Sequence, residues 1–373
     1  MIKILHLSKF YPPFQGGIET FLYDLNEDIY DNYREGIQSD VVSFNSSNIS
    51  VDDINNGYLV HRSAMYTSIS KMPISFNYIS WLFKNASKYD IIHLHYPNPF
   101  ADLALLLSCY NGKLIVHWHS DIIKQKITDI IYSPLRFWML NKAKKIIATS
   151  PSYSIGSKYL RKYSKKVVVI PLGFNRKRLP YSKPSKIKKI KDKYLGKKII
   201  FSLGRQVYYK GFEYLIKSAI HLDSSFIILI GGKGELFDYH KKLIENLNLS
   251  DKVKMVGFVT EEDVSSYYQA CEVFAMSSIK KSEAFGVVQL EAMSFGKPII
   301  STDIKGSGVG WVNQNGYSGI VVPTMNELAI ANAIISITKN KKIDFGNQSK
   351  DRYNENFKIN VITKKIINIY LNL

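Results

Sequence analysis

The residues whose spacing speaks most directly to chemistry are Glu283 and Glu291, with seven residues between them in the run SEAFGVVQLEAM, Ser282–Met293. On a helix, eight steps rise about 12 Å and rotate to within about 80° of the start, so both carboxylates can face one cleft. The residues between them are almost all apolar, which favours a buried helix over a solvated one. That separation suits one carboxylate at a sugar and the other at a ribose, with helix N-terminal amides between them for phosphates. A second candidate is the loop GRQVYYKGF, Gly204–Phe212, in which Arg205 and Lys210 flank the entry to a helix. Fixed positive charge there would stabilise a departing diphosphate. The same pair reads equally as two solvated cations of a basic protein.

Other strand ends carry weaker signals. His117–Trp118–His119–Ser120–Asp121 follows an apolar run, and a histidine there can hydrogen-bond a sugar hydroxyl, shuttle a proton or simply pack in a loop. His93 and His95 alternate with apolar residues on another run and read as structural. Gly16 and Gly17 open a helix after Pro12–Pro13–Phe14–Gln15, which permits close approach by an anion or marks a plain tight turn. This is not the Gly-x-Gly-x-x-Gly fingerprint, which argues against a nicotinamide enzyme. The chain has no Asp-x-Asp triplet, no Cys/His set with zinc spacing, no Gly-x-Ser-x-Gly and no Walker loop. Metal-free handling of a diphosphate is therefore expected, with no cofactor beyond the co-substrate.

These loops need a frame to hold them. Short β-branched runs alternate with helix-length amphipathic stretches. In the first half the strands are Ile2–Leu7, Asp40–Phe44, Asp90–His95, Lys113–Trp118, Lys145–Thr149 and Val167–Ile170. The second half restarts the pattern at Lys198–Leu203 and includes a helix over Ala284–Phe295. Strands apolar on both faces and separated by helices imply βαβ units in a doubly wound parallel sheet. With 373 residues, two such domains are expected, 1–175 and 176–355. Arg176–Lys197, Lys-rich with Pro180 and Pro184, reads as the linker, and 356–373 as a terminal helix packing back on the N-terminal domain.

Composition narrows the classes. No apolar run is long enough to span a membrane, the N-terminus lacks a signal-peptide pattern, and two cysteines cannot make a disulfide framework. A reduced, cytoplasmic protein is expected. The net charge of +19 is concentrated: Lys113–Lys198 holds 23 Lys and Arg against Asp121, Asp129 and Asp192. Such a segment calls for an acidic partner (nucleic acid, anionic lipid or a phosphorylated substrate) or is a solvated lysine-rich face.

Taken together, Pro12–Glu19, His117–Asp121, Pro171–Asn175, Gly204–Gly211, Gly231–Gly234 and Ser282–Pro298 resemble the retaining glycosyltransferases of family 4. The resemblance implies the GT-B fold, two Rossmann-like α/β domains facing across a cleft. It implies that Arg205 and Lys210 hold the donor diphosphate, Glu283 the donor sugar and Glu291 the nucleotide ribose. The amides of Phe285, Gly286 and Val287 would meet sugar and phosphate, and Gly257 and Phe258 would lie near the base. Gly16 and Gly17 would line the phosphate or acceptor side, Gly204 the donor loop, and His119 would approach the C6 side of the sugar. Gly306–Gly316 and the Trp118–Asp121 loop look like bacterial mannosyl- and rhamnosyl-type members that build surface polysaccharides, although Gly310 stands where that subgroup has proline. GDP-mannose is the favoured donor, with UDP-sugars next. The basic, apolar, Trp-bearing stretch Ile122–Lys145, including Lys124, Lys126, Arg136 and Trp138, reads as a segment lying on the anionic inner face of the inner membrane, presenting a polyprenyl-diphosphate-linked acceptor. A sugar-nucleotide epimerase of similar architecture is an alternative. A nucleic-acid-binding protein is another, but it leaves the Glu283/Glu291 element unexplained.

Overall fold

The structure is a computed structural model. It describes residues 1–14, 16–69, 72–122, 126–194, 196–340 and 342–373, with residues 69 and 126–129 described through their backbone. The chain divides into two compact units, Met1–Gly173 with Ile359–Leu373, and Phe174–Lys358.

The first unit is built on strands β1 (Ile2–Leu7), β2 (Ile37–Phe44), β3 (Val51–Asn55), β4 (Tyr58–Ser63), the small pair β5 (Thr67–Ile69) and β6 (Met72–Ile74), β7 (Ile91–Tyr96), β8 (Lys113–Trp118), β9 (Lys145–Ala148) and β10 (Val167–Val169). Its main sheet runs β10-β9-β8-β7-β1-β2-β4-β3. All pairings in it are parallel except β3 on β4. Central strands are buried end to end: every residue of Ile91–Tyr96 is inside, as expected where helices cover both faces. His6 pairs with His93 and His95 with His117, so these side chains share one face. The helices Gly17–Tyr33 and Ile359–Leu371 cover that face, through Phe21 against His117 and Tyr370 against His93. Phe44, three positions beyond Val41, the residue beside His6, faces the other way and stacks on Tyr78 of the helix Phe76–Asn85. The helices Pro99–Leu107 and Lys126–Lys142 continue that layer.

The second unit has six parallel strands, β11 (Lys198–Leu203), β12 (Phe226–Gly231), β13 (Val253–Gly257), β14 (Val273–Ala275), β15 (Ile299–Asp303) and β16 (Gly319–Pro323), in the order β13-β12-β11-β14-β15-β16. The order turns back at β11/β14, the switch point where doubly wound sheets open a crevice at their carboxyl ends. Ile200, Leu215, Ile228, Ile230 and Ile334 form the centre of its core.

Three elements depart from the sequence reading. The helix beginning near Ala284 starts only at Val288 and ends at Ser294, because Gly286 adopts φ +77°. Pro184–Lys193, read as open linker, is a helix pinned to the helix Glu261–Ala270, with Lys186 2.9 Å from Asp263. The β3–β4 hairpin was not anticipated, although Asn56–Gly57, both with positive φ, is the turn pair such hairpins favour.

Candidate active site

In the second unit, the loops leaving β11, β12, β13 and β14 converge. The β11 loop, Gly204–Lys210, lies directly on the β12 loop. A Cβ on Gly232 would come within 2.0 Å of the Gly204 carbonyl oxygen, and one on Gly234 within 2.6 Å of the Gln206 oxygen. Only glycine permits this backbone contact. Gln206 is fully buried and locked by His240 at 2.7 Å, whose pKa burial lowers to about 4. Arg205 is left exposed, and among the described residues it forms no ion pair.

Lys210 passes over Gly204, its Cε 3.4 Å from where a Cβ would stand. Its Nζ lies 2.5 Å from Glu283 Oε2, and both side chains are only 12% exposed. Burial works against the charged lysine, but the Glu283 carboxylate, helped by Tyr209, outweighs it and raises the Lys210 pKa. Glu283 takes a second hydrogen bond from Ser278 at 3.3 Å. Its backbone is clamped from below: Ser307 donates to the Glu283 carbonyl at 2.5 Å and the Gly308 amide to that of Ala284 at 2.8 Å.

The two glutamates do not share one helix. Glu283 sits in an irregular loop and Glu291 in the first turn of a seven-residue helix, so their relation is set by the Phe285–Val287 bend. At Gly286, with φ +77°, a Cβ would lie 2.7 Å from Met276 Cε. Among the described residues, the amides of Phe285, Gly286 and Val287 have no hydrogen-bond acceptor, so they remain available to an anion. Phe285 itself is buried against Phe357. Glu291 accepts a 2.8 Å hydrogen bond from Tyr268, and burial raises its pKa against the opposing effects of Tyr268 and Arg178. Gly257, at the end of β13, has open space around it, and the following Phe258 is 57% exposed. An exposed phenylalanine at a strand's carboxyl end is a ready stacking surface for a base.

In the first unit, Gly16 caps and Gly17 starts the helix Gly17–Tyr33, with Glu19 folded against Gly16. His119 is buried and bonded to His95 at 2.9 Å. Lys124 and the Lys126 side chain lie outside the described residues. Arg136, expected on a membrane face, is only 1% exposed. It sits 4.0 Å over Tyr159 and 5.3 Å over Tyr132, beside buried Asp102. Trp138 is half-buried under Lys142. Arg136 faces inward because its helix packs on Pro99–Leu107, where Asp102 needs a counter-charge.

Sequence reasoning did not find Tyr268, Ser278, Ser307 and Gln206, which fix the site from separate segments. It also missed that His93, His95, His117 and His119 gather with His6 under the first sheet. The glycine pairs opposite Gly204 and Gln206 were the nearest signal in the sequence.

Two Rossmann-like units with this loop arrangement define the GT-B glycosyltransferase fold. The likeness to solved structures shows the same. Over its full length the chain superposes on Anabaena HepE in complex with UDP and glucose at TM-score 0.78 and 21% identity, covering all of it. It superposes equally on a sucrose-phosphate synthase from Thermosynechococcus elongatus, at 0.78 and 21%, covering 99% of it. By sequence, residues 15–178 match Glycosyltransferase Family 4 and residues 184–358 match Glycosyl transferases group 1. All of the chain is 30% identical to 99% of the O-antigen chain mannosyltransferase C of Escherichia coli. A further 28% identity links 95% of it to 92% of a D-rhamnosyltransferase of Pseudomonas aeruginosa. The chain belongs to glycosyltransferase family 4, and it is a glycosyltransferase.

Proposed function

We propose that the protein transfers a sugar, mannose from GDP-mannose in the favoured reading, to a polyprenyl-diphosphate-linked glycan with retention of configuration, in the assembly of a surface polysaccharide. The observation that carries this reading is the Lys210–Glu283 pair at the carboxyl edge of the second sheet, with the Tyr268-bound Glu291 eight residues on. Lys210 and Arg205 neutralise the donor diphosphate, so no metal ion is called for. Glu283 orients the donor sugar, Glu291 the ribose, and Phe258 the base. The amides of Phe285, Gly286 and Val287 meet sugar and phosphate. Gly16, Gly17 and His119 are assigned to the sugar and acceptor side.

Retention follows from front-face attack. The acceptor oxygen bonds to the anomeric carbon as the bond to the diphosphate oxygen breaks. The departing phosphate oxygen takes the acceptor's proton, so the cations carry the developing charge and no protein base is required. The polysaccharide setting draws on relatives, among them a lipopolysaccharide core biosynthesis glycosyltransferase of Rhizobium meliloti.

Among the described residues no helix is long and apolar enough to cross a membrane. A lipid-linked acceptor would instead be met by peripheral association with the cytoplasmic face of the membrane. Leu103, Leu106 and Leu107 on one helix, with Ile130 and Ile131 on the helix packed against it, are exposed apolar side chains of the basic first unit that such association would use.

The test is thermal stabilisation by a panel of nucleotides and nucleotide sugars, with Glu291→Ala beside the wild type. A ligand at a hundred times its dissociation constant adds about 2.7 kcal/mol. GDP or UDP compounds should raise the wild-type melting temperature and leave the variant unmoved. No shift from any of them would sink the reading.

A further inference from the structure

Three histidines from separate strand ends form one line in the first unit. His6 Nδ1 lies 3.0 Å from His95 Nε2, and His95 Nδ1 lies 2.9 Å from His119 Nε2. The ring centroids are 5.3 Å and 5.2 Å apart. That is as far as two such rings can be while joined nitrogen to nitrogen, so each contact runs along the in-plane direction a hydrogen bond prefers.

The same histidines also group as two triads of the kind that hold a metal, His6/His93/His95 and His95/His117/His119, with ligand atoms within 4.8 Å. The geometry weighs against that use. Two imidazoles on one tetrahedral zinc stand with their nitrogens about 3.3 Å apart, lone pairs converging on a point. His95 and His119 are closer than that and face each other directly. The His117 and His119 rings lie within 10° of parallel, with centroids 4.3 Å apart, so their lone pairs do not converge.

We infer that His6–His95–His119 is a closed imidazole chain that fixes the tautomer of His119, making His95 and His6 positioning residues for sugar transfer. This rests on the assignment of His119 to the donor sugar. Burial keeps all three rings neutral, helped at His6 and His119 by the nearby His95. His93, His117, Tyr370 and Phe21 surround them, and burial likewise keeps His93 and His117 neutral. Three neutral imidazoles carry three N–H groups and the two links use two of them. The third must sit at one end, on His119 Nδ1 or on His6 Nε2. Both atoms are buried, and neither has a hydrogen-bond partner among the described residues. An orphaned N–H is rarer in protein interiors than an under-used acceptor. Rings line both ends, but His6 is wholly enclosed while His119 keeps 4% exposure, so the proton belongs on His119 Nδ1, where a sugar hydroxyl can receive it. The chain thus holds His119 as a donor.

The test uses the whole protein with nitrogen-15 in its imidazoles, His119 being assigned from His119→Gln. Wild type should show His119 protonated at Nδ1 and bare at Nε2, unchanged between about pH 6 and 8. His6→Phe and His95→Phe should each turn this into a tautomer mixture while still melting cooperatively. Transfer by His95→Phe should fall on the order of tenfold to a hundredfold in kcat with little change in donor KM. His95→Asn, whose amide reaches His119 from the Nδ1 position, should recover part of it. An unchanged His119 tautomer in both phenylalanine variants overturns the inference, and so do equal rates in His95→Phe and His95→Asn. A nucleotide-induced melting shift that survives in His95→Phe keeps the transferase reading standing on its own, so the two ideas can fail separately.

Discussion

Lys210 and Glu283 neutralise each other across 2.5 Å in a setting where each side chain is only 12% exposed. In the proposed mechanism these same groups hold the donor's diphosphate and its sugar. Donor binding is then an exchange, in which phosphate oxygens compete with Glu283 for the lysine. Glu283→Gln removes the competitor and leaves the cation. Nucleoside diphosphate should bind more tightly to this variant by about 1 kcal/mol, roughly fivefold. Transfer should fall at least about a hundredfold, because the sugar has lost its charged partner. Calorimetric titration with GDP and UDP, beside a transfer assay, checks both. Diphosphate binding that weakens in Glu283→Gln would remove the exchange.

Glu291 accepts from both ribose hydroxyls most strongly as a carboxylate, yet burial raises its pKa, with the Tyr268 hydrogen bond acting in the opposite direction. Donor affinity should therefore decline on acidification, through a midpoint above the usual glutamate range. Tyr268→Phe removes a group that favours the carboxylate, so the declining limb should move to higher pH. Nucleotide-sugar dissociation constants measured against pH in both proteins decide it. A limb that stays put or moves down places Glu291 outside the donor site.

Much of this was legible in the sequence, and the failures have physical causes. Asp90–His95 and Lys198–Leu203 read as buried parallel strands, and form as Ile91–Tyr96 and Lys198–Leu203, because apolar runs are what a sheet covered on both faces requires. Glu283 and Glu291 stood out by type and spacing. The apolar pattern from Ala284 onward nevertheless suggested a longer helix than forms, since nothing in that pattern announces that Gly286 will take φ +77°. Arg136 read as a membrane contact because charge and apolar neighbours look the same whether a helix face turns out or in. The buried partner Asp102 lies far back in the sequence. The histidine cluster was out of reach for the same reason, being assembled by strand order from Leu5–Leu7, His93–His95 and His117–His119.

Acid should destabilise the fold steeply. In the unfolded chain a histidine takes up a proton near pH 6.5. Burial keeps His95 neutral down to about pH 3, and holds His6, His93, His117 and His119 well below their ordinary value. Their cost to stability is absent above about pH 6.5. Between there and the folded pKa, each removes up to about 1.4 kcal/mol per pH unit. Asp102 acts oppositely: burial raises it to about 7, so its contribution shrinks as pH rises from about 4 to 7. One carboxyl cannot balance five histidines. Melting temperature should fall between about pH 6.5 and 5, and His117→Leu should make the fall shallower. A slope that His117→Leu leaves unchanged would show that His117 does not drive it.

Arg136 should matter for stability and not for lipid. Packed over Tyr159 and beside Asp102, it leaves a buried carboxyl without a counter-charge when replaced. Arg136→Met should cost about 2–4 kcal/mol by denaturant unfolding, with flotation on anionic liposomes unaltered. Ile130→Glu with Ile131→Glu should do the reverse, abolishing flotation at little cost in stability, since both side chains are more than 70% exposed. Flotation that depends on Arg136 but not on the isoleucines would move the membrane face elsewhere.

Gly286 and Gly257 offer a controlled comparison, because both sit at φ +77° in the second unit while their surroundings differ. A Cβ on Gly257 meets nothing within 4 Å, whereas one on Gly286 comes within 2.9 Å of Met276 Cε, Met276 Sδ and Gln289 Nε2. Alanine at either position incurs the same left-handed backbone cost, about 1–2 kcal/mol. Gly286→Ala must also push aside Met276 and Gln289, whose Nε2 holds the Phe285 carbonyl at 3.1 Å. Both variants should lose stability in urea, Gly286→Ala more. Gly286→Ala should also weaken nucleotide-sugar binding the more of the two, by about tenfold, since it disturbs the bend that presents the Phe285, Gly286 and Val287 amides. If Gly257→Ala weakens the donor as much as Gly286→Ala does, the bend is not where the phosphate is held.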